Sequence, residues 1–443
     1  MPQRRAAPPR SPGGTSAFTP WSPRHRTPRV ERPPWTSPSS PPSPAAVSSS
    51  APRPRQDERR LRPHRQGRRR RPGPLHALLV PVQRAGRAQP GRPHPDGPRR
   101  RHALQKSDPD QQAAHRALPW ITIVDDHEIT SDAWADGAQN HQLGEGDDAA
   151  RRASALQAYL EWTPVRLPDQ SVPHEGTRCF RRFPFGDLAQ LSIADTRQNR
   201  SRRACGFLPL GNPVTDAVME DPARVLTEPA RTRWLQDGVR RAAELWHPIG
   251  QQIVMTRVLW PGAALGASGA TIVNADQWDG YRPAQRDMVD SLCQARADAV
   301  VLTGDTHSSR ANELVADPGE RSTGVEFVCP SVSSDGFFEF SGGTADPVGG
   351  VTRTRQLTGA LQAMNPHVKH LDGIGHGWVC VDVTPERVQA DWHPAPLPTA
   401  AVPDPRVVRG IEPVHAFSYV TRRGERTLRA AAGPVGRRAD TPR

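Results

Sequence analysis

Ile121-Thr122-Ile123-Val124 runs into Asp125-Asp126-His127-Glu128, and Val300-Val301-Leu302 runs into Thr303-Gly304-Asp305-Thr306-His307. Both apolar runs are short and rich in β-branched residues, the pattern of a buried strand. Each ends on carboxylates and an imidazole. Ligands of α/β folds bind beyond the carboxyl ends of strands, so both clusters fall where a site is expected. Three acids and a histidine in four residues are costly against a buried strand unless a cation or hydrogen bonds satisfy them. Carboxylate with imidazole suits iron, zinc or manganese, and calcium where oxygens dominate. The plainer reading of Asp125–Glu128 is a solvated loop with a helix cap; that of Gly304–His307 is a turn before an exposed histidine.

Outward from these clusters, strands and helices alternate. Asp108-Pro109 opens a short helix, Ala153–Trp162 reads as a second, and Gln190–Ala194 as a strand. Thr232–Trp246 reads as one helix with Trp234, Leu235, Val239, Ala242 and Leu245 at core spacing. Gln251–Met255 reads as a strand, and Pro283 opens a helix as a first-turn proline. Ala299–Leu302, Val325–Val328, Trp378–Val383 and Val388–Trp392 complete the strands. The pattern predicts an α/β layered sandwich with mixed sheets.

The charge balance divides the chain. Residues 1–100 hold 22 arginines, no lysine and four acids, a net of +18, together with 23 prolines. The remaining residues carry 37 basic and 42 acidic side chains, a net of −5. A mildly acidic body gives no electrostatic reason to bind a phosphate polymer. Nucleic-acid binding is therefore expected only through residues 1–101, whose Pro, Ser and Arg runs read as disordered. The five cysteines are scattered without a CxxC pair, so no disulfide framework or zinc knuckle is indicated. No apolar run is long enough to span a bilayer, and no apolar h-region follows the N-terminal arginines.

Pro119 through Glu128 is similar to a signature of the alkaline phosphatase D family of metallophosphoesterases. So are Asp195-Thr196-Arg197-Gln198, Trp246 through Gln252, Asp276 through Tyr281, Leu302 through His307, Pro330-Ser331 and Asn365-Pro366-His367. They occur in the family's order over roughly residues 102–395. The resemblance implies a layered α/β sandwich of the metallophosphoesterase type, holding iron and calcium and hydrolysing small phosphate esters. It makes Asp126 both a metal ligand and part of the catalytic machinery, with His127 stabilising the transition state or protonating the leaving oxygen. Asp125, Asp305, His307 and Asp276 are the further ligands it suggests. Asp276 and Asp279 serve equally well to hold the loop around Trp278 and Tyr281. Arg197 is a candidate phosphate clamp, although its segment reads more readily as a strand end with an internal ion pair. Family members are usually exported.

Two departures shape what is expected of this chain. Ser131 stands where the family has an Asn, and a hydroxyl ligates cations less well than an amide oxygen. No Gly-Asp-x-x-Tyr block precedes Asp125, and residues 1–101 contain neither Tyr nor Cys. Slow or absent turnover is therefore expected, with an inactive remnant of the fold as the alternative. The abrupt change of composition at Arg101-His102 suggests that residues 1–101 are an out-of-frame translation ahead of a domain over 102–405. Residues 406–443 are expected to form a largely disordered extension.

Overall fold

Every residue of Asp298–Thr303 is buried, and alternate side chains of this strand enter two different cores. Val300 and Leu302 pack with Val379, Val381 and Trp392 of a second sheet; Ala299 and Val301 pack with Leu235, Met288 and Leu292 of helices. A strand buried on both faces carries a continuous apolar run, which is why this one was plain in the sequence.

The computed structural model describes residues 75–79, 97–168, 177–204, 210–211, 216–262 and 271–436, without 403, 405, 407 and 409. The elements begin with β1 (Leu75–Leu79), α1 (Gly97–Lys106), α2 (Pro109–Ala117), α3 (Asp148–Trp162), β2 (Arg181–Phe185) and β3 (Ala189–Ile193). Then come β4 (Leu210–Gly211), α4 (Asp216–Met219), α5 (Pro229–Arg241), β5 (Trp246–Gly250), β6 (Trp260–Pro261) and β7 (Thr271–Asn274). The third group is α6 (Arg282–Gln294), β8 (Asp298–Thr303), β9 (Ser309–Glu313), β10 (Val325–Val328), α7 (Phe337–Phe340) and α8 (Pro347–Met364). The last is β11 (Val368–Asp372), β12 (Gly377–Val383), β13 (Arg387–Pro394), β14 (Phe417–Arg422) and β15 (Arg429–Ala430).

The large sheet has the order β11-β9-β10-β8-β5-β3-β2, and the second sheet the order β1-β12-β13-β14-β15. In the large sheet β3, β5, β8 and β10 run parallel, while β2, β9 and β11 are antiparallel to their neighbours. This is the mixed layered sandwich expected. Two fully buried tryptophans fasten the sheets reciprocally. Trp246 of β5 donates its indole N–H to the Thr384 carbonyl at 2.7 Å, and Trp392 of β13 donates to the Val328 carbonyl at 3.0 Å. No helix among the described residues is long and apolar enough to cross a membrane.

Several expectations are corrected. The helix placed over Thr232–Trp246 ends at Arg241, where Ala242 turns extended, and Trp246–Gly250 is a strand. Pro248 concealed it, because a proline in a run argues against a central strand. Gln251–Met255 follows that strand as irregular chain; the Val254 and Met255 N–H groups go to the Gln277 and Glu326 side chains instead of a ladder. Ile121–Val124 forms no strand, and its Thr122 and Val124 carbonyls are taken by the Arg181 and Gln252 side chains.

The ends of the chain differ as well. Residues 1–74 and 80–96 lie outside the described residues, and so does a basic arm read there. Leu75–Leu79, inside the stretch expected to be disordered, pairs antiparallel with β12. The boundary placed at 102 falls inside α1, whose Arg99 pairs with Glu161 of α3 at 2.6 Å. Beyond 405, Phe417–Arg422 extends the second sheet, with Phe417 stacked on Trp392.

Candidate metal centre

The four parallel strands end side by side, β3 at Ile193, β5 at Gly250, β8 at Thr303 and β10 at Val328. Their following loops carry Asp195–Gln198, Gln251-Gln252, Gly304–His307 and Pro330-Ser331. The 121–132 segment is laid across these ends by side chains. Gln252 Nε2 donates to the Val124 carbonyl at 2.7 Å, its Oε1 accepts from the Thr196 hydroxyl at 2.7 Å, and Arg200 Nε donates to the Ala133 carbonyl at 2.9 Å.

Carboxylate oxygens of Asp125, Asp126 and Asp305 lie within 4.8 Å of one another. Asp126 is fixed by backbone donors: its Oδ1 accepts from the His127 N–H at 2.8 Å and its Oδ2 from the Asp132 N–H at 2.7 Å. Asp305 Oδ2 accepts from Gln277 Nε2 at 2.6 Å. The backbone is left-handed at Asp132 (φ 52°), Asp305 (φ 62°) and His307 (φ 48°), the only non-glycine positions of that kind among the described residues. Such conformations cost about 1–3 kcal/mol each and persist where the surroundings enforce them.

Arg197 sits at the middle of this group. Its Nε donates to Asp125 Oδ1 at 2.6 Å, its Nη1 to Asp276 Oδ2 at 2.6 Å and its Nη2 to Asp305 Oδ1, with Asp126 Oδ1 at 3.9 Å. The ion pair expected within Asp195–Gln198 is thus made to other loops. Asp276 also receives Arg200 Nη2 at 2.5 Å, so two guanidiniums claim its oxygens and it stands apart from the three-carboxylate group. Asp279 holds its loop, accepting from the Val258 N–H at 2.9 Å. His307 lies outside the group; its Nδ1 is 2.5 Å from the Asp335 carbonyl oxygen. His127 is partly exposed, with Nε2 3.9 Å from Asp126 Oδ2.

Four carboxylates (Asp125, Asp126, Asp276, Asp305) thus face two guanidiniums. The imbalance shows in their protonation. Burial pushes the Asp125 carboxyl well above the ordinary range, reinforced by Asp305 and Asp126 against the pull of Arg197. Burial likewise raises Asp305, with Asp276 and Asp126 adding to it. For Asp126 burial is outweighed by Arg197, His127 and the Asp132 N–H, and for Asp276 by the two arginines, so both are held low. Clustered oxygens with unbalanced negative charge are the donor set of a hard divalent cation, and the three-carboxylate group fits one. Gln252 and Gln277 lie within the family-like stretches but the sequence assigns them no role, and Arg200, two residues past Asp195–Gln198, carried no signal of its own.

A family model for PhoD-like phosphatase matches residues 96–392. Alkaline phosphatase D of Bacillus subtilis (strain 168) is 33% identical over 309 residues, which cover 68% of this chain and 48% of that protein. The chain thus spans about half the length of this curated relative. A solved structure of PhoD superposes with a TM-score of 0.60 at 27% identity, covering 76% of this chain and 59% of that one. The match begins at residue 96, ahead of the boundary expected at 102 and at the start of α1. A family match over residues 96–392 means that this chain belongs to the PhoD-like phosphatase family.

Proposed function

We propose that this chain hydrolyses small phosphate esters with metal ions held by Asp125, Asp126 and Asp305. The observation that carries the reading is the three-carboxylate group, Asp126 buried and Asp125 and Asp305 half-buried, in a chain of this family. Cations bound there would stabilise charge on the phosphoryl group and lower the pKa of a water molecule. Iron and calcium are the metals proposed, calcium by the oxygen donors and iron by the imidazole of His307. The Asp335 carbonyl accepts from His307 Nδ1, leaving Nε2 for a ligand, the tautomer found when a histidine binds metal. His127, beside Asp126 and partly exposed, would give a proton from Nε2 to the leaving oxygen. Arg197 is buried and engaged by carboxylates, which supports a role in spacing the ligands over a direct clamp on phosphate.

The same engagement of Arg197 favours a second reading, an inactive remnant in which the guanidinium serves as the site's resident cation. Turnover of p-nitrophenyl phosphate and its diester separates the two, using chain stripped with EDTA and then reloaded with calcium and iron. Slow, chelator-sensitive turnover lost in Asp305→Asn is expected. The absence of both metal uptake and turnover favours the remnant, and turnover unaffected by chelator overturns the metal-dependent reading.

A further inference from the structure

Among the described residues five arginines are all but fully buried: Arg197, Arg200, Arg231, Arg282 and Arg310. Four have a carboxylate partner, Arg231 pairing with Asp195 at 3.3 Å and Arg282 with Asp317 at 2.8 Å alongside the two of the acidic site. Arg310 has no ion pair among the described residues. It is 1% exposed; its Nε donates to Ser308 Oγ at 2.9 Å, and its Nη2 has no acceptor. Glu326, buried nearby, is taken by the Met255 N–H, the Thr303 hydroxyl and the Asn312 amide. Burial lowers the Arg310 guanidinium to about 10, which leaves it charged at neutral pH. Its guanidinium carbon lies 5.8 Å from the Phe337 ring centroid, and a buried charge with only an aromatic face and no ion-pair partner still costs several kcal/mol.

Arg310 lines a cavity of about 10 Å³ with Asn274, Gln277, Thr306, Trp260 and Asp279. That is room for about one solvent-sized particle. Gln277 and Thr306 join it to the acidic site, Gln277 by its bond to Asp305 and Thr306 as the residue between Asp305 and His307. Asp279 does not supply the missing charge, since Arg257 lies at 3.4 Å from its Oδ1.

We propose that Arg310 anchors a small-anion site in this cavity, sized for a halide or for a single oxygen of a phosphate. The site is independent of whether the acidic cluster is catalytic. Thermal unfolding in sodium chloride or bromide is compared with sodium gluconate at equal ionic strength, gluconate being too large to enter. The wild-type midpoint is expected to rise saturably by about 2 °C in halide, and the rise to vanish in Arg310→Met. Persistence of the rise in that variant overturns the proposal. Should Arg310→Met fail to fold, crystals of the wild-type chain soaked in bromide give the answer. An anomalous peak within about 4 Å of Nη2, hydrogen-bond reach for an ion of that radius, supports the site, and no peak at saturating bromide overturns it. Added phosphate identifies the source: displacement of the bromide assigns the site to a phosphate oxygen, and retention assigns it to free halide.

Discussion

Arg197 Nη1 lies 2.6 Å from Asp276 Oδ2, and neither side chain is more than 4% exposed. With its other two nitrogens on Asp125 and Asp305, this guanidinium ties the 121–132 segment and the loops after β7 and β8 to its own loop after β3. Removing one partner of a buried pair costs more than the pair contributes, because charges are left stranded.

Arg197→Met is therefore expected to cost about 3–5 kcal/mol in urea unfolding carried out in EDTA. Calcium should narrow the gap, since a bound cation would take over part of the compensation. Equal losses with and without calcium would show that the carboxylates do not hold the ion.

Calcium affinity should depend on pH in a fixed direction. Burial holds the Asp125 and Asp305 carboxyls above their usual range, so protons compete with the cation. Binding releases protons, and affinity rises as pH rises. Titration calorimetry in two buffers of different ionisation enthalpy reads the release directly. Asp305→Asn should weaken binding about tenfold or more, or ~1.4 kcal/mol. A pH-independent affinity would refute this account of the donor set.

His247 supplies a stability test away from the site. Burial, with Arg182 adding to it, lowers its imidazole to about 3, and its Nε2 meets Ser192 Oγ at 3.0 Å. The unfolded chain titrates near the ordinary value of about 6.5 and binds more protons between the two. The contribution is whole above about pH 6.5 and is lost as pH falls towards 3, at about 1.4 kcal/mol per unit. His247→Gln should flatten the difference in urea stability between pH 7 and pH 5 relative to wild type. An unchanged slope would mean that another group titrates there.

The reading-frame proposal is tested in DNA. Translation upstream of His102 in the other two forward frames should yield a Gly-Asp-x-x-Tyr element after an apolar strand. Its absence from both frames would sink the idea.

Much of this architecture could be read along the chain, for physical reasons that differ by element. Ala299–Leu302 and Val325–Val328 announced themselves because both their faces are buried. Asp125, Asp126 and Asp305 were legible because acids crowded against apolar runs need compensation. Trp246–Gly250 was not, since Pro248 breaks the rule for central strands. Ile121–Val124 carried a strand's composition without a strand's partners, a distinction that lies in Arg181 and Gln252 far along the chain. Arg197 was ambiguous because its partners are 72, 79 and 108 residues away, and no local pattern encodes such distances.

The left-handed backbone at Asp132, Asp305 and His307 bears on how this chain would respond to selection. Glycine adopts that conformation without strain, so each of the three positions is locally frustrated, holding a residue the backbone disfavours. Screens for thermostability should be drawn to these codons, and every glycine they find would remove a charge or an imidazole from the acidic cluster or its rim. The chain's easiest gains in robustness and its capacity to gather cations thus pull the same three positions in opposite directions.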